Sequence, residues 1–145
     1  MIDKIKWLFA VLVWYRHNLH MLHWKVVGKD FDTIHSMLDD YVSKFNTFID
    51  EIAEMLLSMG SNPLTMSEIT SMLSSSDCRI LTVESDSDYK SKEVFNAIDM
   101  MFGELWIIYN DISKDCPSDC VSKLDEHRYW LRVECQYKNR RRIDD

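Results

Sequence analysis

The sequence predicts an all-α protein built as a bundle of four long helices. Three observations support this. The 145 residues include only three glycines and two prolines, no stretch alternates apolar and polar residues as a strand would, and apolar residues recur at steps of three and four. A chain of this length suits one domain, residues 1–145, that is large enough to bury a core.

Two of the helices are predicted in the N-terminal half. Gly28 is expected to end the first helix, and Asp30 is expected to cap the second, which runs to Gly60 with Pro63 just beyond it. The apolar seams that predict them are Ile5, Leu8, Leu12, Tyr15, Leu19 and Leu22 in the first helix, and Ile34, Leu38, Tyr41, Phe45, Phe48, Ile52, Met55 and Met59 in the second.

The C-terminal half predicts two more helices, the last one entered through Pro117. A long crossover rich in Ser and Asp precedes them and carries a short helix between Leu64 and Leu73. Short loops within each helix pair and one long crossover between the pairs are typical of a ferritin-like antiparallel bundle. The seams are Val94, Ile98, Met101, Leu105, Ile108 and Ile112 in the third helix, and Cys120, Leu124, His127 and Leu131 in the fourth.

The formal net charge of −7 argues against general adhesion to nucleic acid or anionic membranes and favours the attraction of cations. The apolar run "WLFAVLVWY" spans only about half a bilayer, so we assign it to a bundle helix and not to a membrane span or signal peptide. The four cysteines, Cys78, Cys116, Cys120 and Cys135, do not have zinc-site spacing, and we expect reduced thiols in a cytoplasmic protein.

Polar residues that can bind metal lie on the second helix, on the face opposite its apolar seam. His35 and Asp39 are four residues apart, as are Asp50 and Glu54, so each pair can direct its side chains to one point. The two pairs are separated by about 22 Å along the helix, whereas metal–ligand bonds are about ten times shorter. One helix therefore provides two half-sites.

An antiparallel dimer would join these half-sites. If the outer face of the second helix packs on its own copy about a two-fold axis near Lys44 and Phe45, the His–Asp pair of one chain meets the Asp–Glu pair of the other. Such a dimer contains two identical sites, and His23 of the first helix is placed to add a nitrogen ligand to each. The other residues on that face are small or medium in size and allow a close approach of the helices: Val42, Ser43, Asn46 and Ala53.

Simpler interpretations of these residues remain open. An Asp–Glu pair on a helix is most often ordinary solvated surface. The steps of three between His17, His20 and His23 could instead form a cation site on one helix, and Asp32 with His35 offers another variant.

The motifs "HMLHWKVVGKDFDTIHSMLDDY" and "IDEIAEMLLSMGSNPLTMSEI" closely resemble those of the Dps family, the mini-ferritins named as DNA-binding proteins from starved cells. The resemblance covers nearly the whole chain, weakens between Ser74 and Lys90, and returns in "DEHRYWLRVE", where Tyr129 occupies a tryptophan position of the family. The matching positions are His23-Trp24, Gly28, Phe31, His35 and the run Asp50-Glu51-Ile52-Ala53-Glu54.

The resemblance implies a two-iron ferroxidase centre between subunits. Its ligands would be His23, His35 and Asp39 of one subunit with Asp50 and Glu54 of the two-fold mate. Twelve subunits would form a hollow shell that oxidises Fe(II) with hydrogen peroxide or dioxygen, stores Fe(III) mineral and limits oxidative damage. Imidazole and carboxylate ligands suit iron.

Further expectations concern residues around this centre. Trp24 would quench stray oxidising equivalents, with a core tryptophan as the alternative. Asp111, Asp115 and Asp119 would line an acidic three-fold pore for iron entry, with ordinary charges at a helix N-terminus as the alternative. Cys116 and Cys120 flank Pro117 beside this pore, outside the usual family pattern.

DNA binding is not carried over from the resemblance. Family members that coat DNA use a lysine-rich tail, whereas this chain is expected to enter its first helix almost at once and offers only Lys4 and Lys6 there, with the C-terminal run "KNRRR" as an alternative. Two rival functions remain: a ferritin-fold metal buffer without efficient oxidation, and a helical interaction protein whose second helix is only a dimer contact.

Overall fold

Four long helices pack side by side in the computed structural model, which describes residues 1–76 and 80–143. This confirms the predicted all-α four-helix bundle. Cys78 and the final two aspartates lie outside the described residues. The helices are α1 Ile2–Lys25, α2 Phe31–Ser58, α3 Met66–Ser74, α4 Ser91–Ser113, α5 Ser118–Arg132 and α6 Arg140–Ile143, with a π-helical segment, Val133–Asn139, between the last two.

The connections follow the predicted order. Short loops join α1 to α2 and α4 to α5, and the long crossover between α2 and α4 carries α3, which packs on α1. Helix α1 also contacts α4, and α2 contacts α5, so the two hairpins close into one bundle. Across the described residues, no helix combines the length and apolarity needed to span a membrane.

The boundary between α1 and α2 differs in detail from the prediction. Helix α1 already ends at Lys25, because the next residues pair with the end of the crossover: Val27 donates its amide to the Tyr89 carbonyl (2.9 Å), and Tyr89 donates to the Lys25 carbonyl (3.0 Å). Gly28 then adopts a φ of +115°, which turns the chain into α2. Asp30 occupies the N-cap position, but its side chain makes no capping hydrogen bond.

The crossover is fixed to the bundle by a buried amide. Asn18 of α1 donates to the Leu81 carbonyl (2.7 Å) and accepts from the Val83 amide (3.3 Å), and Trp14 donates to the same carbonyl (3.2 Å). Asn18 is only 3% exposed, so both backbone groups would lose hydrogen bonds away from bulk water without it. Asn18 and Trp14 therefore both hold the crossover against α1.

The last helix continues beyond the predicted seam. Helix α5 runs into the π-helical segment and α6, and Glu134 is buried there, accepting a hydrogen bond from Tyr41 (2.7 Å). Lys138 pairs with Glu134 at 2.9 Å, and the Arg142 guanidinium donates to the Tyr41 hydroxyl at 3.0 Å. Two cations of the "KNRRR" run are therefore engaged within the chain.

A series of polar side chains joined by hydrogen bonds lies inside the bundle near α5. His127 is fully buried, and burial lowers its pKa below the ordinary histidine value despite the opposing pull of Glu51. The neutral ring lies 3.2 Å from the Glu51 carboxylate through Nε2 and 2.7 Å from the Tyr109 hydroxyl through Nδ1. Because an ionised carboxylate only accepts, Nε2–H donates to Glu51 and Nδ1 accepts from Tyr109.

Glu51 is ionised in this series of hydrogen-bonded side chains. Burial of Glu51 opposes ionisation, but hydrogen bonds from Lys123 (2.7 Å) and His127 outweigh it and keep the pKa of the carboxyl below its ordinary value. Phe48 stacks on the His127 ring with centroids 3.9 Å apart. The imidazole thus has a partner at each nitrogen and an aromatic ring on one face.

Replacing Tyr109 by phenylalanine is expected to lower the free energy of unfolding by about 1–3 kcal/mol, because the buried Nδ1 of His127 loses its donor. Urea denaturation monitored by circular dichroism measures this change. Tyr129→Phe is the matched control, since Tyr129 is 71% exposed and should change stability little. Equal effects of the two substitutions would contradict the assigned hydrogen bond.

Acidification should destabilise the fold through His127. Its folded-state pKa is lowered, so its contribution is fully present above the unfolded-state value of about 6.5 and is lost as the pH falls below that value. The free energy of unfolding should therefore decline as the pH falls below about 6.5, and less steeply for His127→Gln. His17→Gln, at an exposed position, should retain the wild-type slope. Parallel profiles for wild type and His127→Gln would refute this assignment.

Candidate metal centre

Two histidines from neighbouring helices face each other where α1 ends and α2 begins. The rings of His23 and His35 stack with centroids 3.6 Å apart. His23 Nδ1 lies 2.7 Å from the His35 carbonyl oxygen, and His35 Nδ1 lies 2.8 Å from the His23 carbonyl oxygen. The two residues therefore connect α1 and α2 by a reciprocal pair of hydrogen bonds.

These bonds determine which nitrogen of each ring can bind a metal. A carbonyl oxygen can only accept, so both Nδ1 atoms carry the proton and donate. In the neutral rings, both Nε2 atoms then keep their lone pairs, which is the form that coordinates a metal. The sequence placed His23 beside His35, and the fold adds the tautomer that a pair of ligands needs.

The three predicted carboxylates lie on α2 with their side chains exposed. Asp39 follows His35 by one helical turn, and Asp50 and Glu54 lie further along the helix. Of the small residues expected between the pairs, Ser43 and Asn46 are exposed, whereas Val42 packs into the core. Within the described part of one chain, no group of three or more metal-binding side chains forms.

The alternative site on α1 alone is not formed in the described chain. His23 and His20 lie with ring centroids 5.7 Å apart, and His23 is already bonded to α2. Burial lowers the pKa of His20, and the neighbouring His23 and His17 lower it further. The carboxylate of Asp39 on α2 raises the pKa of His20 and so opposes these effects. His20 therefore lies close to the candidate centre.

Trp24 lies on the surface beside the histidines. Its ring stacks on His20 with centroids 4.2 Å apart and meets His17 edge-on at 6.4 Å. The side chain is 55% exposed, so the alternative that it is a core tryptophan is wrong.

The three aspartates proposed for a pore have different surroundings. Lys4 of α1 pairs with Asp111 at 3.2 Å and with Asp115 at 3.8 Å, while Asp119 lies in the first turn of α5. Asp111 belongs to the last turns of α4, so the alternative of a helix N-terminal charge fits Asp119 but not Asp111. Lys4 therefore offsets part of the acidic charge expected there.

The contacts that Glu51 makes were not predicted from the sequence. Glu51 lies in the same "DEIAE" run as Asp50 and Glu54, but it turns inward to His127 and Lys123. Spacing along α2 does not reveal these contacts, because both partners of Glu51 lie on α5.

Comparison with known sequences gives local matches. No family model matches the chain. The DNA protection during starvation protein of Listeria innocua is 40% identical over 48 residues, which cover 33% of this chain and 31% of that relative. The protein of the same name from Brevibacillus brevis is 26% identical over 121 residues, 79% of each chain. The first match thus spans only about a third of its relative's length.

Comparison with solved structures extends over nearly the whole chain. An N-terminal deletion mutant of Dps from Mycobacterium smegmatis matches with a TM-score of 0.83 and 22% identity, covering 99% of this chain and 94% of that one. Dps from Vibrio cholerae O1 matches with a TM-score of 0.80 and 17% identity, covering 93% and 84%. The fold is therefore a ferritin-like four-helix bundle. The sequence matches described above are likewise to DNA protection during starvation proteins.

The assigned tautomers can be tested directly. Long-range ¹H–¹⁵N correlation spectra of metal-free protein near pH 8 should show His23 and His35 protonated at Nδ1 and unprotonated at Nε2. His17, which is exposed, provides an internal reference ring from the same helix. An Nε2-protonated form of either His23 or His35 would contradict the reciprocal hydrogen bonds.

Proposed function

We propose that this protein is a cytoplasmic iron-storing mini-ferritin and a ferroxidase, in which residues 1–145 act as one domain. Its substrate is Fe(II), its oxidant is hydrogen peroxide or dioxygen, and its product is Fe(III) mineral held inside a shell. The reciprocal hydrogen bonds of His23 and His35 carry this proposal, because they leave one ligand nitrogen free on each ring, and Asp39 follows His35 by one helical turn.

The other half of each centre comes from a second subunit. Asp50 and Glu54 are exposed one turn apart on α2 and have no ion-pair partner within the described chain. An antiparallel contact between two copies of α2 would bring them to the His35 and Asp39 of the mate, which forms two equivalent centres per dimer. This arrangement also accounts for exposed carboxylates beside two histidines held in one tautomer.

The proposed chemistry needs two iron ions at each centre. Each Fe(II) loses one electron, the O–O bond of hydrogen peroxide breaks, and two protons complete two water molecules. Glu54 would help to hold both ions, and paired oxidation would avoid the one-electron step that releases hydroxyl radical. Trp24, exposed and stacked on His20, would intercept stray oxidising equivalents.

The solved Dps neighbours support a closed assembly for this chain. We propose twelve subunits built from two-fold dimers, with Fe(II) entering through a three-fold pore at the start of α5. Asp119 is the stronger pore candidate, since Lys4 already pairs with Asp111 and Asp115. DNA binding is not part of the proposal, because Lys138 and Arg142 of the basic run are engaged with Glu134 and Tyr41.

A mixing experiment tests whether the centre is shared between subunits. The variants His35→Ala/Asp39→Ala and Asp50→Ala/Glu54→Ala should each lose most of their peroxide-dependent Fe(II) oxidation, followed by Fe(III) absorbance. Co-assembly at equal amounts makes about half of the dimers mixed, each with one intact centre of two. Roughly a quarter of the wild-type rate should return.

The controls separate this proposal from its rivals. Asp40→Ala, at an exposed α2 position beside Asp39, should retain the wild-type rate. No recovery on mixing would reject the shared centre. Iron binding without peroxide consumption would instead favour a metal buffer, and dimer formation without any iron binding would favour a helical interaction protein.

A further inference from the structure

An open cavity lies where the start of α2, the start of α4 and the short helix α6 come together. Its volume is about 950 Å³, which is comparable to that of sites that bind small organic ligands. The Val27 amide donates to the Tyr89 carbonyl (2.9 Å), and the Tyr89 amide donates to the Lys25 carbonyl (3.0 Å). These hydrogen bonds fix two walls of the cavity relative to each other.

Positive charge is concentrated around this cavity, although the chain as a whole has a formal net charge of −7. Among the described residues that line it, one is a carboxylate, Asp30, and four are cations: Lys29, Lys90, Lys92 and Arg142. The three lysines form no ion pair within the part of the chain that the structure describes. Like charges repel one another, so an anion bound in the cavity would stabilise this arrangement.

Arg142 is held in position at the cavity by contacts within the chain. Its guanidinium donates to the Tyr41 hydroxyl (3.0 Å) and lies 5.9 Å from the centre of the Phe95 ring. Both this hydrogen bond and the 4.0 Å ion pair with Glu134 involve Nη1. Nη2 and Nε therefore keep N–H donors for an oxyanion such as phosphate.

Apolar side chains form another part of the cavity lining. Ile34 and Phe95 are buried in the core at this point, and Met37 is half-buried. Inorganic phosphate would leave this apolar surface in contact with water. A nucleotide would cover it with its base while its phosphates meet the cations, and small-ligand sites generally combine an apolar lining with a few polar groups.

We propose that this cavity binds a nucleotide, with the phosphates contacting Lys29, Lys90 and Lys92 and the base lying on the apolar lining. A mononucleotide carries its charge in one place, as the cavity does. A long nucleic-acid strand would also bring phosphates to the rest of an acidic chain, which repels them.

The nucleotide site is separate from the proposed iron centre. Thr33 and Met37 line the cavity, and each lies two residues from His35 along α2. Residues two apart differ in direction by about 200° around a helix, so the cavity lies on roughly the opposite side of α2 from His35. The proposed dimer contact does not use this side of the helix.

The test is a calorimetric titration of the full-length, iron-free assembled protein with ATP, in a magnesium-free buffer of low ionic strength. Wild type should bind one ATP per chain, and the affinity should fall as salt is added, because the contacts are charged. The cavity variant, Lys90→Gln/Lys92→Gln, should bind ATP at least about tenfold more weakly, since two charged donors to phosphate are lost. Undiminished binding by the cavity variant would overturn the site.

Matched controls separate this site from a general effect of charge. Lys6→Gln/Lys114→Gln removes the same charge at the other end of the bundle, where α1 begins and α4 ends, and should bind ATP as wild type does. An equal loss in this control would overturn the assignment.

The choice of ligand decides the chemical class. Adenosine and inorganic tripolyphosphate should each bind more weakly than ATP, because each meets only one part of the cavity lining. Tripolyphosphate binding as tightly as ATP would overturn the nucleotide assignment. Tighter binding of a single-stranded oligonucleotide, lost in the cavity variant, would overturn it in favour of a nucleic-acid surface.

Two further measurements locate the ligand. Photolabelling of the assembled protein with 8-azido-ATP should modify a peptide that contains Met37 or Phe95, and labelling confined to other peptides would overturn the site even if the cavity variant failed to fold. The cavity variant should retain Fe(II) oxidation, and Asp50→Ala/Glu54→Ala should retain its ATP affinity. Loss of either property would overturn the independence of the two sites.

Discussion

The reciprocal hydrogen bonds between His23 and His35 are the constraint on which the candidate centre depends. Each imidazole takes the carbonyl of the other residue as its acceptor, so the end of α1 and the start of α2 are fixed relative to each other. The same bonds fix both tautomers. The same contacts therefore stabilise the fold and leave the Nε2 atom of each ring free to bind a metal. A substitution at either histidine affects both properties.

Much of the fold was predictable because the packing surfaces are periodic. The seams of α1 and α2 gave their extent to within a few residues, and Gly28 and Gly60 mark their ends with positive φ values. The end of the last helix was not predictable in this way. Glu134 is buried within this continuation, where Tyr41, Lys138 and Arg142 reach its carboxylate from distant or later positions.

The candidate site was likewise predictable only in part. The spacing of His35, Asp39, Asp50 and Glu54 reveals two half-sites on one helix, because helical geometry alone relates residues four apart. Spacing cannot reveal that Glu51, next to Asp50, turns inward to a buried histidine. Nor can it reveal that Lys4 reaches Asp111 and Asp115, since these contacts depend on how separate helices are brought together.

The π-helical segment at residues 133–139 also constrains how the C-terminus can change. A π-helical turn holds one more residue than an α-helical turn, so it equals a single insertion accommodated within a continuous helix. Removing one residue there would let the helix regularise and would leave the residues beyond it on nearly the same face. Removing one residue from the regular part of α5 would instead rotate everything beyond it by about 100°, and Arg142 would then turn away from Tyr41. The π-helical segment is thus the place in the last helix where a change of length by one residue keeps the terminal arginines against the bundle.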